Sequence, residues 1–158
     1  MPQETQNKAD YIVIFISEFA RRFGLSALQA YRYLNRYKAI DFLDDQYNVA
    51  HTQSFEDMVQ NMAGYCQRHG LSIFLRKRES HSNAEALMST IDYMNECTVR
   101  DLVLMLMEER GLTLHEALDS VYNSETYAKL MNPATGLYFQ SPVYIFSYLD
   151  RELATGKL

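Results

Sequence analysis

The polar cluster best suited to chemistry in this chain is His51-Thr52-Gln53, closed by Ser54. As a site it would be a binding loop or, in an enzyme, the home of the catalytic histidine. As structure, His51 and Gln53 would bond loop backbone at the mouth of a helix that Ser54 caps. The structural reading is favoured, because loop-to-helix junctions need such bonds. The remaining histidines, His69, His81 and His115, lack the spacing of a zinc site, and no metal or cofactor is expected. His115 and Asp119 share a helix face and read as a solvated pair. Asp44-Asp45 and Glu108-Glu109 are adjacent, and adjacent residues on a helix diverge, so neither is an acid/base pair. The six glycines are scattered and build no phosphate loop or nucleophile elbow. The expectation is a protein that is not an enzyme.

The segment that carries this cluster recurs. Gly24–Ser54 matches Gly111–Ser141, 87 positions later, without a gap. Gly24 pairs with Gly111, Ala30 with Ala117, Leu43 with Leu130, Gln53 with Gln140 and Ser54 with Ser141. His51 pairs with Tyr138, and a catalytic histidine should not be dispensable in a duplicate. The match is physical as well as literal. Ser26 with Gln29 reads as a capping box, and so does Thr113 with Glu116. Gly24 and Gly111 read as helix stops.

Helical spacing dominates the flanks. Ile12, Phe15, Ile16, Phe19 and Phe23 recur at three- and four-residue steps over Tyr11–Phe23. A helix over Ala27–Tyr37 follows, then a short apolar segment, Ala39–Leu43. Tyr47–Thr52 reads as an extended loop before a helix over Phe55–His69, with Met58, Met62, Tyr65 and Cys66 inward. Leu71–Leu75 is ambiguous, and the polar run Arg76–Asn83 is the best boundary. Ala84–Glu96 reads as a linking helix, with Thr98 and Asp101 capping the next one, which runs to Arg110. Leu114–Asn123 and Ser124–Met131 read as helices, Asn132–Gly136 as a turn, and Ser141-Pro142 as the start of a helix over Val143–Leu153. The expected fold is therefore all-α. Two tandem repeats of about four helices pack with pseudo-twofold symmetry, plus a linking helix. The expected bounds are 1–10 disordered, 11–75 first repeat, 76–97 linker and linking helix, and 98–153 second repeat, with a mobile tail from Ala154.

Composition bounds the function. Apolar residues make up 47% and charged residues 22%, as in a soluble globular protein. The net charge of −5 is unevenly spread: residues 1–80 sum to +1 and residues 81–158 to −6. An acidic second half argues against broad nucleic-acid binding and fits a protein partner with a basic face. Gly24–Tyr37 has the outline of a helix-turn-helix, in which Gln29, Arg32 and Arg36 would face DNA. The paired segment holds Glu116 and Asp119, which repel phosphate. Cys66 and Cys97 read as structural thiols of a reducing compartment. Met1–Asp10 is polar and the apolar run Tyr11–Ile16 is short, so neither a secretory signal nor a membrane span is expected. A cytoplasmic protein is expected. Twelve tyrosines stand out. Tyr31, Tyr33, Tyr37, Tyr47, Tyr122, Tyr127, Tyr138, Tyr144 and Tyr148 are expected to be mostly half-buried, with partner contacts among them.

Gly24-Leu25-Ser26 followed by Tyr47-x-x-x-His51-Thr52-Gln53 resembles a bacterial family catalogued as domain of unknown function 3791, over about Ile12 to Tyr65. Ala50 departs from it where a leucine-like residue is expected. The second half carries Tyr127-x-x-Leu130-x-x-Pro133-x-Thr135-Gly136-Leu137-Tyr138, then Gln140-Ser141-Pro142-x-Tyr144. It is similar to another small bacterial family of unknown function. Members of both tend to be encoded beside proteins similar to ADP-ribosyltransferases. The resemblance implies a toxin–antitoxin or defence-like module in which this chain is the non-catalytic partner of such an enzyme. Tyr47, His51, Gln53, Tyr138, Gln140 and Tyr144 are then the candidate partner contacts. Self-association is left open.

Overall fold

A computed structural model describes residues 2–69 and 90–156. Among them are nine α-helices, two 3-10 turns and no strand, so the fold is all-α. The chain divides between Ser82 and Asn83 into two compact units.

In the first unit, α1 (Gln3–Phe23) packs against α2 (Ala27–Arg36), α3 (Ala39–Asp45) and α5 (Phe55–His69), with the single turn α4 (Tyr47–Ala50) beside α3. The apolar stripe of α1 does what its spacing predicts: Ile12, Phe15, Ile16 and Phe19 are wholly buried. Tyr31, Leu34, Ile40 and Leu43 complete the core with Met62 and Cys66 from α5. Each such aliphatic or aromatic side chain contributes roughly 1.5–3 kcal/mol on burial.

In the second unit, α6 (Thr90–Arg110) packs against α7 (Leu114–Tyr122) and α9 (Pro142–Thr155). The six-residue α8 (Glu125–Leu130) lies against α9. Two 3-10 turns, Pro133–Thr135 and Leu137–Phe139, lead into α9. Leu102, Leu106, Leu118, Val121, Leu130, Ile145 and Leu149 are buried. Arg110 ties α6 to α9, its Nε donating to Asp150 Oδ1 at 2.8 Å and its Nη2 to the Asp150 carbonyl at 2.9 Å.

The punctuation between helices follows the sequence closely. Gly24 and Gly111 have φ of 66° and 65°, the left-handed conformation a helix stop requires. Both capping boxes form: Ser26 Oγ accepts from the Gln29 amide and Gln29 Oε1 from the Ser26 amide, and Thr113 and Glu116 do the same. Ser141 caps α9 with Pro142 at its first position. Ala30, Ala117, Leu43 and Leu130, paired across the 87-residue shift, are all fully buried.

Four expectations are corrected. The N-terminus is helical from Gln3, not disordered over 1–10: Ala9 is fully buried, and Lys8 Nζ pairs with Asp44 Oδ1 at 3.2 Å. Tyr47–Thr52 is a helical turn rather than an extended loop, and 137–139 is likewise a 3-10 turn. No new helix starts at Thr98. Helix α6 runs unbroken across it, and the Thr98 hydroxyl donates back to the Met94 carbonyl at 2.9 Å. With no breaker before it, a threonine satisfies its oxygen within the helix instead of capping one, so no boundary falls at 97/98. Finally, several tyrosines are core residues: Tyr31 is fully buried, and Tyr33, Tyr122 and Tyr127 nearly so. Burial pushes the Tyr33 hydroxyl up to about 12 and raises that of Tyr127 further. The readings made for Leu71–Leu75, Arg76–Asn83 and Ala84–Ser89 lie outside the described residues.

Candidate functional site

The His-Thr-Gln segment sits on one turn of helix because its own side chains hold it there. His51 Nδ1 donates to the Tyr47 carbonyl at 2.6 Å, and Thr52 Oγ1 donates to the Val49 carbonyl at 2.7 Å. The His51 ring stacks on Tyr47, centroids 4.6 Å apart. Tyr47 in turn meets Tyr11 edge-on at 5.7 Å, and Tyr11 stacks on Phe55 at 5.2 Å. The Tyr11 hydroxyl donates to the Ala50 carbonyl at 3.2 Å. Burial and the neighbouring Tyr47 hold that hydroxyl protonated above its usual range. Helix α1 thereby fixes α4 from 39 residues away.

His51 itself is exposed. Its Nδ1 partner is a backbone carbonyl and not a carboxylate, so nothing here matches a base with an acidic orienting group. Gln53 departs from expectation: its Oε1 accepts from Asn61 Nδ2 at 3.3 Å, a side chain of α5 rather than loop backbone. Ser54 caps α5 as expected, accepting from the Asp57 amide at 3.1 Å.

Residues 10–69 match a family profile. Its description is a protein of unknown function, DUF3791. The match spans the Gly-Leu-Ser turn and the His-Thr-Gln segment. No curated protein and no solved structure matches the chain.

Between α3, α4 and α5 lies a cleft of about 340 Å³. Met58 and Met62 are buried beneath it, and Phe42 and Tyr65 are half-buried in its wall, their rings 5.2 Å apart. Its polar lining is four primary amides, Gln46, Gln53, Gln60 and Asn61, with Arg68. The helical spacing assigns Met58, Met62 and Tyr65 to a core stripe, and of the four amides only Gln53 stands out in the sequence, as part of the His-Thr-Gln segment. The available signal was Gly64, a glycine inside an otherwise helical pattern.

In the second unit Tyr138 is half-buried, its ring 4.1 Å from Phe139. Gln140 is exposed, and its amide donates to the Leu137 carbonyl at 2.9 Å. Tyr144 shares a 2.8 Å hydrogen bond with the Tyr148 hydroxyl, which raises its pKa. Close to it in sequence are Phe139, 71% exposed, and Val143, 68% exposed, with Tyr144 itself 46% exposed. Tyr144 is among the candidates the sequence offers, whereas Phe139 and Val143 are not, because period alone cannot tell the solvent side of a helix start.

On α2, Gln29, Arg32 and Arg36 all lie on the exposed side. The Gln29 side chain is occupied by the capping box, and the Arg36 guanidinium lies 5.9 Å from the Tyr37 ring. Among the described residues, no three histidine, cysteine or acidic side chains gather as a metal site. No described helix is long and apolar enough to cross a membrane.

Proposed function

We propose that this chain is a non-catalytic interaction module that binds and restrains an ADP-ribosyltransferase-like enzyme, as an antitoxin or regulator. The observation that carries the reading is the apolar face at the start of α9. Phe139, Val143 and Tyr144 are large and exposed there, in a half of the chain whose formal charge is −6. Exposed aromatic and aliphatic anchors are what a partner surface offers. The net acidity of residues 81–158 suits a partner with a basic, nucleotide-binding cleft. The two sequence resemblances supply the class of partner. The two cysteines, Cys66 and Cys97, are read as thiols of a protein of the reducing cytoplasm. The likeness between the two units is read as duplication of one helical repeat, which left the scaffold devices in both copies.

Co-expression with the product of the neighbouring gene, followed by size-exclusion chromatography, tests this. A co-eluting complex is expected, weakened on the order of 100-fold by Phe139→Glu with Val143→Glu. Separate elution at micromolar concentration sinks the reading. The same run reports whether the chain self-associates.

A second reading rests on the exposed side of α2, where Gln29, Arg32 and Arg36 fall together. A DNA-binding regulator would contact phosphates there. Its signature is a salt-dependent shift of upstream DNA that disappears in Arg32→Ala with Arg36→Ala. No shift at low salt ends it.

A further inference from the structure

The cleft of the first unit is lined by groups that the scaffold does not require. Gly64 lies within α5, where glycine weakens a helix relative to alanine. Close packing does not demand it: a Cβ at that position would meet only Arg68 Nη1, at an ordinary 3.6 Å. A larger side chain there would occupy the cleft instead. Asn61, Gly64, Tyr65 and Arg68 fall on one stripe of α5, and Arg68 stands about 10 Å along the helix from Asn61.

The lining has a definite chemistry. The bond from Asn61 to Gln53 leaves the Gln53 NH₂ as a donor and Asn61 Oδ1 as an acceptor, side by side. A donor next to an acceptor is the complement of a peptide group. Gln46 and Gln60 add two more primary amides, and Met58 and Met62 supply an adaptable apolar base. Among the described residues Arg68 is the one lining cation, and no carboxylate lines the cleft. One guanidinium suits a single carboxylate and falls short of a polyphosphate. Four amides suit a main chain better than a hydrocarbon tail. At the positions 87 residues later, Gln46, Gln60, Asn61 and Arg68 are replaced by Pro133, Ser147, Tyr148 and Thr155. Of the polar lining only Gln53 recurs, as Gln140, so the rest of the cleft chemistry is peculiar to the first half, where the helix stops and caps are common to both.

We propose that this cleft binds an extended segment of a partner protein that carries one carboxylate. The amides of Gln53 and Asn61 pair with its main chain, an apolar side chain rests over Met58 and Met62, and Arg68 takes the carboxylate. The inference stands on the first unit and does not need the partner of the α9 face.

The test titrates the full-length, nitrogen-15-labelled chain with N-acetyl-alanyl-leucyl-glutamate amide. Saturable shifts are expected at the Gly64 backbone amide and at the side-chain amides of Gln53 and Asn61. Binding is expected to weaken about 10-fold when glutamine replaces the glutamate of the peptide, and equally in Arg68→Gln, an exposed position that leaves the fold intact. Gly64→Leu should abolish the shifts while the helical circular dichroism is retained. Absence of saturable shifts at millimolar peptide overturns the proposal. So does equal binding of the two peptides, or hexanoate binding as tightly as the peptide, since the cleft would then not read a main chain. A complex through the α9 face that survives Arg68→Gln leaves the two readings separately decided.

Discussion

Glu152 holds the start of α8 from the far end of α9. Its carboxylate accepts from the Thr126 backbone amide at 3.0 Å and from the Thr126 hydroxyl at 2.8 Å, and its other oxygen accepts from the Glu125 amide at 2.7 Å. Thr126 is 1% exposed, so its donors have no water to replace that partner. A six-residue helix has little stability of its own. Glu152→Ala is expected to lower stability by about 2 kcal/mol. Urea unfolding followed at 222 nm gives the loss, and hydrogen exchange at the Glu125 and Thr126 amides should speed up first.

Three glycines give opposite signs under the same substitution. Gly24→Ala and Gly111→Ala each place a Cβ at φ of 66° and 65°, and each should cost about 1 kcal/mol. Gly64→Ala sits in a helix with room for the methyl and should add about 1 kcal/mol. Melting temperatures of the three variants decide it. A loss at Gly64 would mean that α5 packs there more tightly than the 3.6 Å contact allows.

The Tyr11 hydroxyl reaches the Ala50 carbonyl from a ring only 8% exposed. Tyr11→Phe removes one of the two donors to that carbonyl, leaving the Gln53 amide at 3.1 Å, and should cost roughly 0.5–1.5 kcal/mol. The loss should fall on α4, seen as faster exchange of the Ala50 and His51 amides with α2 unchanged.

Alkali should loosen the first unit before the usual tyrosine range is passed. Burial raises the Cys66 thiol from 9.0 to about 11. It also raises Tyr33 from 10.0 to about 12, with smaller contributions from Cys66 and Tyr37. Both folded values lie above the unfolded ones. The stability that goes with them is therefore complete below pH 9 and lost as pH rises through about 11 and 12. Each group lowers stability as pH rises through its window. Urea midpoints between pH 8 and 12 measure this, and Cys66→Ala should remove the earlier part of the decline. A flat profile to pH 11 would show the thiol is not held in the core.

The devices read correctly from sequence are those whose partners lie three or four residues away. The boxes at Ser26 and Thr113, the stops at Gly24 and Gly111, and the Ser141-Pro142 start all carry their geometry in their own neighbours. Thr98 looked identical to a cap by letter, yet a cap needs a preceding residue out of the helix, and nothing before Thr98 forces that. Tyr47–Ala50 was misread because four residues make no period. Tyr11, 39 residues away, secures the turn. The cleft was invisible for a similar reason. Its amides come from the junction of α3 and α4 (Gln46), the turn before α5 (Gln53) and the middle of α5 (Gln60, Asn61), and converge only when these elements are packed.

The ring stack from His51 through Tyr47 and Tyr11 to Phe55 also gives the molecule an optical signature. The chain contains no tryptophan, so its near-ultraviolet absorption is dominated by tyrosine. Tyr11 and Tyr47 are held in fixed, asymmetric contact, the arrangement that generates strong circular dichroism at those wavelengths. Ala50, whose carbonyl Tyr11 grips, also lines the cleft. Occupation of that cleft should therefore register as a change in tyrosine ellipticity, with no label attached to protein or ligand.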